Sequence, residues 1–450
     1  MITESSTPKI IQSVFYAKKE EKYLIMNPDV PDWVVVNESS VYLLSFCNGK
    51  RSIREIFETI KKNGNDLTMQ SVLKLFQQAA DSMLFEHEFA ISKSSVSEKV
   101  NRNDYSPKPL RNVHLKLTNK CNLACTYCYA ESGLCTSSPI LSLDELKRVA
   151  DEVRELSSSV SYTFSGGEPL MHPYALEFAE YVTTQGNGCS LLTNGALINK
   201  KNVDRISSLF NIIKISLDGS SEEINSKTRG FNSYRAVLKA YNLLIKKDAN
   251  VFITMTVSKT NLSDIQNMVD LFGARLSFQP LFKAGRGKED GEENAITGDE
   301  YYKALAAAKG VKPMSRIEKT LANLKGKGKT KCPLADGDIS ISETGNIYPC
   351  QMLYENKFCG GNVKKNSIAN IYNSSSTFKS LRKLVVNNID GCSSCPIRRL
   401  CGGSCRARSY HETGNIWVTG VFCDYERQSY INGIFDSSVL DKSLTDLPAK

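Results

Sequence analysis

Apolar and polar positions change rhythm three times along this chain. In the first 90 residues, Lys22–Met26 and Trp33–Val36 read as short strands, and Ser39–Phe46 reads as a helix closed by the turn Asn48-Gly49-Lys50. Ser52 then caps a helix of period 3.6 whose inward face is Ile53, Ile56, Phe57 and Ile60. A second amphipathic helix runs from Thr68 to Leu84, with Val72, Leu73, Leu75, Phe76, Ala79 and Met83 inward. Strands followed by two or three short helices predict a winged-helix-like α+β unit over residues 1–91. Residues 92–112 are polar and carry Ser106-Pro107-Lys108-Pro109, the composition of a linker.

From residue 113 the rhythm becomes a regular strand–helix alternation. Strands are expected at Val113–Leu117, Tyr162–Phe164, Cys189–Thr193, Ile212–Leu217, Val251–Val257 and Arg275–Gln279. Helices are expected between them at Leu143–Leu156, Tyr174–Val182, Lys200–Leu209, Ser233–Lys247 and Asn261–Phe272. Such alternation predicts an α/β fold, a parallel sheet with covering helices closed into a full or partial barrel over residues 113–290. Sites in these folds gather at the C-terminal ends of the strands. Residues 291–331 form an irregular bridge with helical pieces at Asp299–Lys309 and Arg316–Leu324, and a cysteine-rich unit covers 332–430, followed by a tail over 431–450.

Composition adds constraints. The mean hydropathy is −0.29, and no stretch approaches the run of about 20 apolar residues that a membrane span needs. The first 16 residues lack the apolar core of a signal peptide, so a cytoplasmic protein is expected, with no membrane partner. Fourteen cysteines then call for metal ligation, because disulfides are rare in a reducing compartment. Of the net charge of +9, the stretch Val311 to Tyr410 holds more than its share, with 17 basic and 6 acidic residues. A solvated basic face and compensation of anionic clusters both account for it; nucleic acid is disfavoured, since no binding motif accompanies the charge.

The chemistry-bearing motifs follow strand ends. Cys121, Cys125 and Cys128, spaced by three and two residues, leave the first barrel strand in one loop. Three thiolates on a 4Fe–4S cluster leave one iron open, whereas a zinc site would draw a fourth ligand such as Cys135. Ser165-Gly166-Gly167-Glu168-Pro169 follows the second strand, Thr193-Asn194-Gly195 the third, and Ser216-Leu217-Asp218-Gly219 the fourth, with Arg229-Gly230 beyond. In this order the motifs resemble the radical S-adenosylmethionine (AdoMet) enzymes. The resemblance implies an AdoMet site on the open iron, with Gly166, Gly167 and Glu168 near its amino group. It further implies Ser216 and Arg229 at its ribose or carboxylate, Tyr127 against adenine, and Asn194 and Asp218 among the cofactor contacts. Reductive cleavage of AdoMet would yield a 5′-deoxyadenosyl radical that abstracts hydrogen from substrate. Gln279-Pro280-Leu281 and Gly285-Arg286-Gly287 resemble a stretch lining that active site, though an ordinary turn fits them as well.

The later cysteines read Cys332, Cys350, Cys392, Cys395, Cys401, Cys405 and Cys423, which resembles the SPASM extension with its two auxiliary clusters. A zinc ribbon over Cys392–Cys405 is the competing reading. By resemblance one cluster takes Cys332, Cys350 and Cys405, and the other takes Cys392, Cys395, Cys401 and Cys423. Cys359 could complete the first, which is otherwise open. The expected cofactors are AdoMet and three 4Fe–4S clusters, one binding AdoMet and two auxiliary. Cys47, Cys135 and Cys189 read as buried apolar cysteines, and His87, His114, His172 and His411 as unpaired core or surface residues.

Residues 1–91 resemble the PqqD-type leader-recognition domain, which holds an extended peptide along a strand edge and an adjacent helix. Together the three resemblances imply a maturase of ribosomally made peptides (RiPPs), a radical AdoMet oxidoreductase similar to sactisynthases. Its partners would be a precursor peptide and an electron donor such as flavodoxin or ferredoxin, and its product a cysteine-sulfur-to-carbon thioether. Carbon–carbon crosslinking, tetrapyrrole-type small-molecule chemistry and a non-enzymatic metal-binding interaction protein are the competing readings. Gln351 follows Cys350 where the sulfatase-maturating branch places an acidic base, which disfavours formylglycine formation. No catalytic acid or base is assigned.

Overall fold

The computed structural model describes residues 2–62, 67–86, 107–134, 139–310 and 320–436. His87, Cys135, most of the expected linker, the start of the Arg316–Leu324 helix and most of the tail lie outside the described residues.

The front unit is an antiparallel sheet, β1 (Phe15–Lys19), β2 (Lys22–Asn27) and β3 (Asp32–Val36), in that order, followed by α1 (Glu38–Ser45), α2 (Ile53–Lys61) and α3 (Met69–Asp81). Ser52 and Glu55 form a reciprocal capping box at the start of α2, and Ile53, Ile56, Phe57 and Ile60 are all buried. Strand β1 is short and ends in two lysines, which hid it in the sequence. Ile25, Val34 and Val36 pack on the three helices. Leu24, Met26 and Trp33, on the opposite face, pack on Ile397, Leu400, Ile434 and Phe435 from the far end of the chain. Burial on both faces explains why β2 and β3 read as apolar runs rather than alternating strands.

The large sheet contains six parallel strands: β4 (Asn112–Thr118), β5 (Ser161–Gly166), β6 (Gly188–Thr193), β7 (Ile212–Ser216), β8 (Val251–Val257) and β9 (Leu276–Pro280). Helices α4 (Leu143–Leu156), α5 (Ala175–Thr184), α6 (Val203–Leu209), α7 (Glu222–Arg229), α8 (Ser233–Ile245) and α9 (Ile265–Phe272) link them. Helix α4 shows the local logic. Ser142 and Glu145 cap it reciprocally, and Leu146, Val149, Ala150 and Val153 form the buried stripe. Phe164 stacks on Phe178 at 5.5 Å, joining sheet and helix layers; each such buried side chain contributes about 1.5–3 kcal/mol. Among the described residues the sheet does not close, so the barrel is partial.

The cysteine-rich unit begins inside this sheet. Strand β10 (Asp338–Ile341) pairs in parallel with β4, and β11 (Asn346–Tyr348) and β12 (Gly361–Asn362) extend the edge antiparallel. The bridge contributes α10 (Gly287–Asn294) and α11 (Gly298–Ala307), whose Tyr301 meets Phe422 and Tyr425 at the start of the helix Cys423–Asp436. Among the described residues, no helix is long and apolar enough to cross a membrane.

Candidate functional site

The alternation in β4 sends Val113, Leu115 and Leu117 into the sheet–helix core, and the strand ends into the cysteine loop. Cys121 N donates to Gly133 O at 3.2 Å and Cys128 N to Cys125 O at 3.3 Å, so the loop folds back on itself and gathers its thiols. The three sulfurs lie within electrostatic reach of one another; burial, reinforced by this proximity, pushes the Cys121 thiol up to about 11. The Cys121 sulfur accepts from Leu123 N at 3.4 Å and from Asn194 Nδ2 at 3.7 Å, and Arg229 Nη1 lies 4.0 Å from the Cys125 sulfur.

Glycine is required where the β5 loop meets the cysteine loop. A Cβ on Gly167 would stand 2.2 Å from Lys120 O, and one on Gly166, at φ +133°, 2.3 Å from Thr118 O. Glu168 is fully buried, and its carboxylate accepts from Thr193 Oγ1 and Asn194 N, both at 2.8 Å, and from Leu170 N at 3.2 Å. It therefore fastens the β5 loop to the β6 loop, and burial lifts its carboxyl to about 7. Asn194 continues the tie through Asn122 Oδ1 at 2.8 Å.

Asp218 is the hub of the opposite side. Fully buried, it accepts from Tyr127 OH, Thr228 Oγ1 at 3.0 Å, Thr256 N at 2.9 Å and Arg229 Nη2 at 3.2 Å, with Arg229 Nε 2.8 Å away. The Arg229 guanidinium covers the Tyr127 ring at 5.6 Å. Tyr127 and Arg229 thus hold each other through Asp218, and Ser216 occupies the last position of β7. Helix α7, absent from the sequence expectation, delivers Arg229 at its last turn. Arg286 backs the cysteine loop from behind, donating to Cys125 O at 2.9 Å and Ser132 O at 3.0 Å. Its stretch is more than a surface turn.

The sequence reading missed a polar group on the other face of β4. Lys116 pairs with Glu343 at 3.3 Å, the two side chains 11% and 10% exposed, and its ammonium lies 5.3 Å from the Tyr354 ring centre. Tyr354 OH bonds Ser340 Oγ at 2.6 Å, as does His114 Nδ1 at 3.2 Å. The regular polar positions His114, Lys116 and Thr118 between apolar ones were the available signal. Tyr129, pushed up to about 12 by burial, lies between the neighbourhoods of Cys128 and Cys350.

The later cysteines fall into two groups. Cys332, Cys350 and Cys405 lie within mutual electrostatic reach. Cys359 instead donates its thiol to Gly361 O at 3.4 Å, beside Tyr348. Cys392, Cys395, Cys401 and Cys423 line one pocket together with Arg398, Ser404 and Arg406. There the Cys401 thiol donates to Glu426 Oε2 at 3.1 Å. Arg408 links this unit to the barrel by donating to Leu281 O and Pro280 O, both at 2.9 Å. Cys47 and Cys189 are buried among apolar side chains. Thiol-only donor sets on this scale suit iron–sulfur clusters.

Comparison with known proteins agrees with this geometry. The Radical SAM superfamily model matches residues 115–272, and the SPASM iron-sulfur cluster-binding domain matches residues 332–396. The AdoMet-dependent heme synthase of Methanosarcina barkeri is 27% identical over 349 residues, 70% of this chain and 96% of its own. Mycofactocin maturase MftC of Mycobacterium tuberculosis is 27% identical over 66% of this chain and 78% of its own. The antilisterial bacteriocin subtilosin biosynthesis protein AlbA of Bacillus subtilis is 27% identical over 66% and 67%. Among solved structures, anSMEcpe with bound AdoMet superposes with a TM-score of 0.58 at 20% identity, over 73% of this chain and 97% of its own. Streptococcus suis SuiB bound to S-adenosylmethionine gives 0.56 at 14% identity, over 92% and 99%.

Proposed function

We propose that this chain, which carries a radical AdoMet domain over residues 115–272 and a SPASM domain over residues 332–396, matures a ribosomally made peptide by installing a thioether crosslink. Its cofactors are AdoMet and 4Fe–4S clusters. The observation that carries the peptide reading is the front unit, fused to both domains and docked through Leu24, Met26 and Trp33 onto the cysteine-rich unit. Among the described residues, β3 pairs with β2 alone, and α3 lies beside it, with Ser82 Oγ donating to Trp33 O at 3.3 Å. That edge, joined to no further strand among the described residues, is our site for the precursor's leader, gripped by backbone pairing. AlbA is named for bacteriocin biosynthesis and MftC as a maturase, and SuiB has been solved with its precursor peptide SuiA, which supports the reading.

We assign Cys121, Cys125 and Cys128 to the cluster that binds AdoMet, and the two later cysteine groups to auxiliary clusters. When bound, these groups supply a radical that removes a hydrogen atom from carbon and a one-electron acceptor for closing the crosslink. The chain's residues prepare the site. Asp218 fixes Tyr127 and Arg229 facing the loop, Arg229 offsets charge at Cys125, and Glu168 with Asn194 locks the strand-end loops. The Lys116–Glu343 pair gives the inner face of β4 a proton-carrying group. With Cys359 turned toward Gly361, three thiols remain for the first auxiliary cluster, leaving a position for a substrate sulfur. We place the enzyme in the cytoplasm, with a flavodoxin or ferredoxin as electron donor.

Anaerobic, reduced protein incubated with AdoMet and its precursor peptide tests the reading. Expected are release of 5′-deoxyadenosine, loss of two hydrogens from the peptide and one thiol that no longer alkylates. The same mass loss with every thiol still alkylated excludes the thioether and leaves a carbon–carbon crosslink. The heme synthase likeness over 96% of that relative favours a second reading, small-molecule chemistry. Removing residues 1–91 then leaves turnover intact, whereas peptide maturation is lost.

A further inference from the structure

The pocket of Cys392, Cys395, Cys401 and Cys423 has two arginines in its wall, of which Arg398 is spent on Asp29 and on Cys395 O. Arg406 is 0% exposed, the environment in which a charge most needs partners. Its Nη1 donates to Ile416 O at 3.2 Å and Val418 O at 2.7 Å, while Nε and Nη2 have no hydrogen-bond partner among the described residues. An unmet buried donor costs about 1–3 kcal/mol, more when it is charged. The nearby carboxylate is committed elsewhere: Glu426 accepts from Ser404 Oγ at 2.8 Å and from the Cys401 thiol. Nε–H and Nη2–H thus lack an acceptor, and the space beside them is ringed by four thiols.

We propose that Arg406 is the positioning and charge-compensating residue of the cluster held by these four cysteines, donating Nε–H and Nη2–H to its sulfurs and raising its reduction potential. The inference rests on the assignment of the four thiols to a cluster, and not on the identity of the substrate. A 4Fe–4S centre with four thiolates is an anion, and reduction adds a further negative charge, so a buried cation and N–H···S bonds favour the reduced form. Arg406 is better placed for this than its neighbours. Arg427 also hydrogen-bonds Cys395, but its side chain is 40% exposed and water screens it. Lys329 packs over Gly402 and acts on Cys401 from outside the pocket. The backbone N–H of Arg406 donates to the Cys332 sulfur, so one residue touches both auxiliary sets.

The test is potentiometric titration of the anaerobically reconstituted full chain, followed by electron paramagnetic resonance. In Arg406→Gln at full iron content, reduction of this cluster is expected to become about tenfold less favourable, a midpoint about 59 mV lower for one electron. Arg406→Lys shifts it less, and Arg427→Gln less again. A wild-type midpoint in iron-replete Arg406→Gln, or a larger shift in Arg427→Gln, overturns the proposal. Should Arg406→Gln not load iron, the Arg427→Gln protein grown with guanidino-15N-arginine decides. A 15N hyperfine coupling on the reduced cluster supports the bond, and its absence refutes it. Cys395→Ala keeping every cluster signal also refutes it, through the ligand set; a failed peptide assay leaves it standing.

Discussion

Replacing Asp218 by asparagine removes one charge from a pair sealed inside the barrel. Asp218 and Arg229 are both buried and approach to 2.8 Å, a gross attraction of about 6 kcal/mol at an effective dielectric of about 20. Much of that offsets desolvation, but the loss of one partner leaves the other charge stranded, at a net cost of about 3–5 kcal/mol. The penalty falls on specific backbone, since Thr256 N donates to the Asp218 carboxylate and Asp218 N donates to Asn225 Oδ1. Hydrogen exchange read by mass spectrometry on β7, α7 and β8 is the suitable assay, because it reports local opening in a multi-unit chain. Asp218→Asn is expected to speed exchange there by between about 100-fold and several thousand-fold, while β1–β3 stay unchanged. Arg229→Gln should behave alike, and the double variant should cost at least about 1 kcal/mol less than the two singles summed. A single-variant effect below about 1 kcal/mol, or strict additivity, refutes the hub.

Three further outcomes follow from other parts of the molecule. Burial depresses the His114 imidazole to about 3, so it stays neutral in the fold while it protonates near 6.5 when unfolded. Its share of stability is complete above pH 6.5 and drains as pH falls toward 3, about 2 kcal/mol by pH 5; urea midpoints of His114→Gln should flatten over that window. Gly167→Ala drives a methyl into Lys120 O and should displace the cysteine loop, lowering iron content by about one third while the auxiliary signals persist. Trp33→Ala empties the contact between the front unit and Ile397, Leu400 and Phe435, a loss of about 3–5 kcal/mol, and protection should fall on both sides of it in hydrogen exchange.

Much of the barrel was legible because its signals are local. Helix α4 announces itself through a cap and a four-residue stripe, and β8 through a run rich in β-branched residues. The strand-end motifs were legible for the same reason, since each is a short loop fixed by its own strand. What escaped depends on distant partners. Strand β10 is four residues long and finds its place only beside β4, more than 200 residues earlier. Glu343 acquires meaning only when β10 and its turn carry it to Lys116. Glu168 and Asp218 each collect donors from several neighbouring loops, an arrangement that spacing cannot position. Cys359 has a ligand's spacing but turns to Gly361 O.

The excess of basic residues between 311 and 410 shows how burial changes the meaning of charge. Were it only a solvated face, its arginines would lie outward with waters for partners. Instead Arg382, Arg406 and Arg408 are buried, and they spend hydrogen bonds on backbone carbonyls: Ala335 and Tyr372, Ile416 and Val418, Leu281 and Pro280. A carbonyl satisfies an N–H but does not neutralise a cation, and Arg408 has Glu412 at 3.9 Å and the rings of Phe282 and Phe422 beneath it. Stable burial of so much positive charge calls for negative charge close by; Asp336 serves Arg382 and Glu412 with Glu426 serve Arg408, and the other groups gathered there are thiols. Burial, the largest of several causes, raises thiols such as Cys332 and Cys392 to about 11. Clusters of iron and sulfide resolve both deficits, because ligation deprotonates the thiols and the resulting anion balances the arginines. Charge and cysteine content are therefore one feature of this unit, and chelating the iron should destabilise it more than removing either ion alone from its surface pairs.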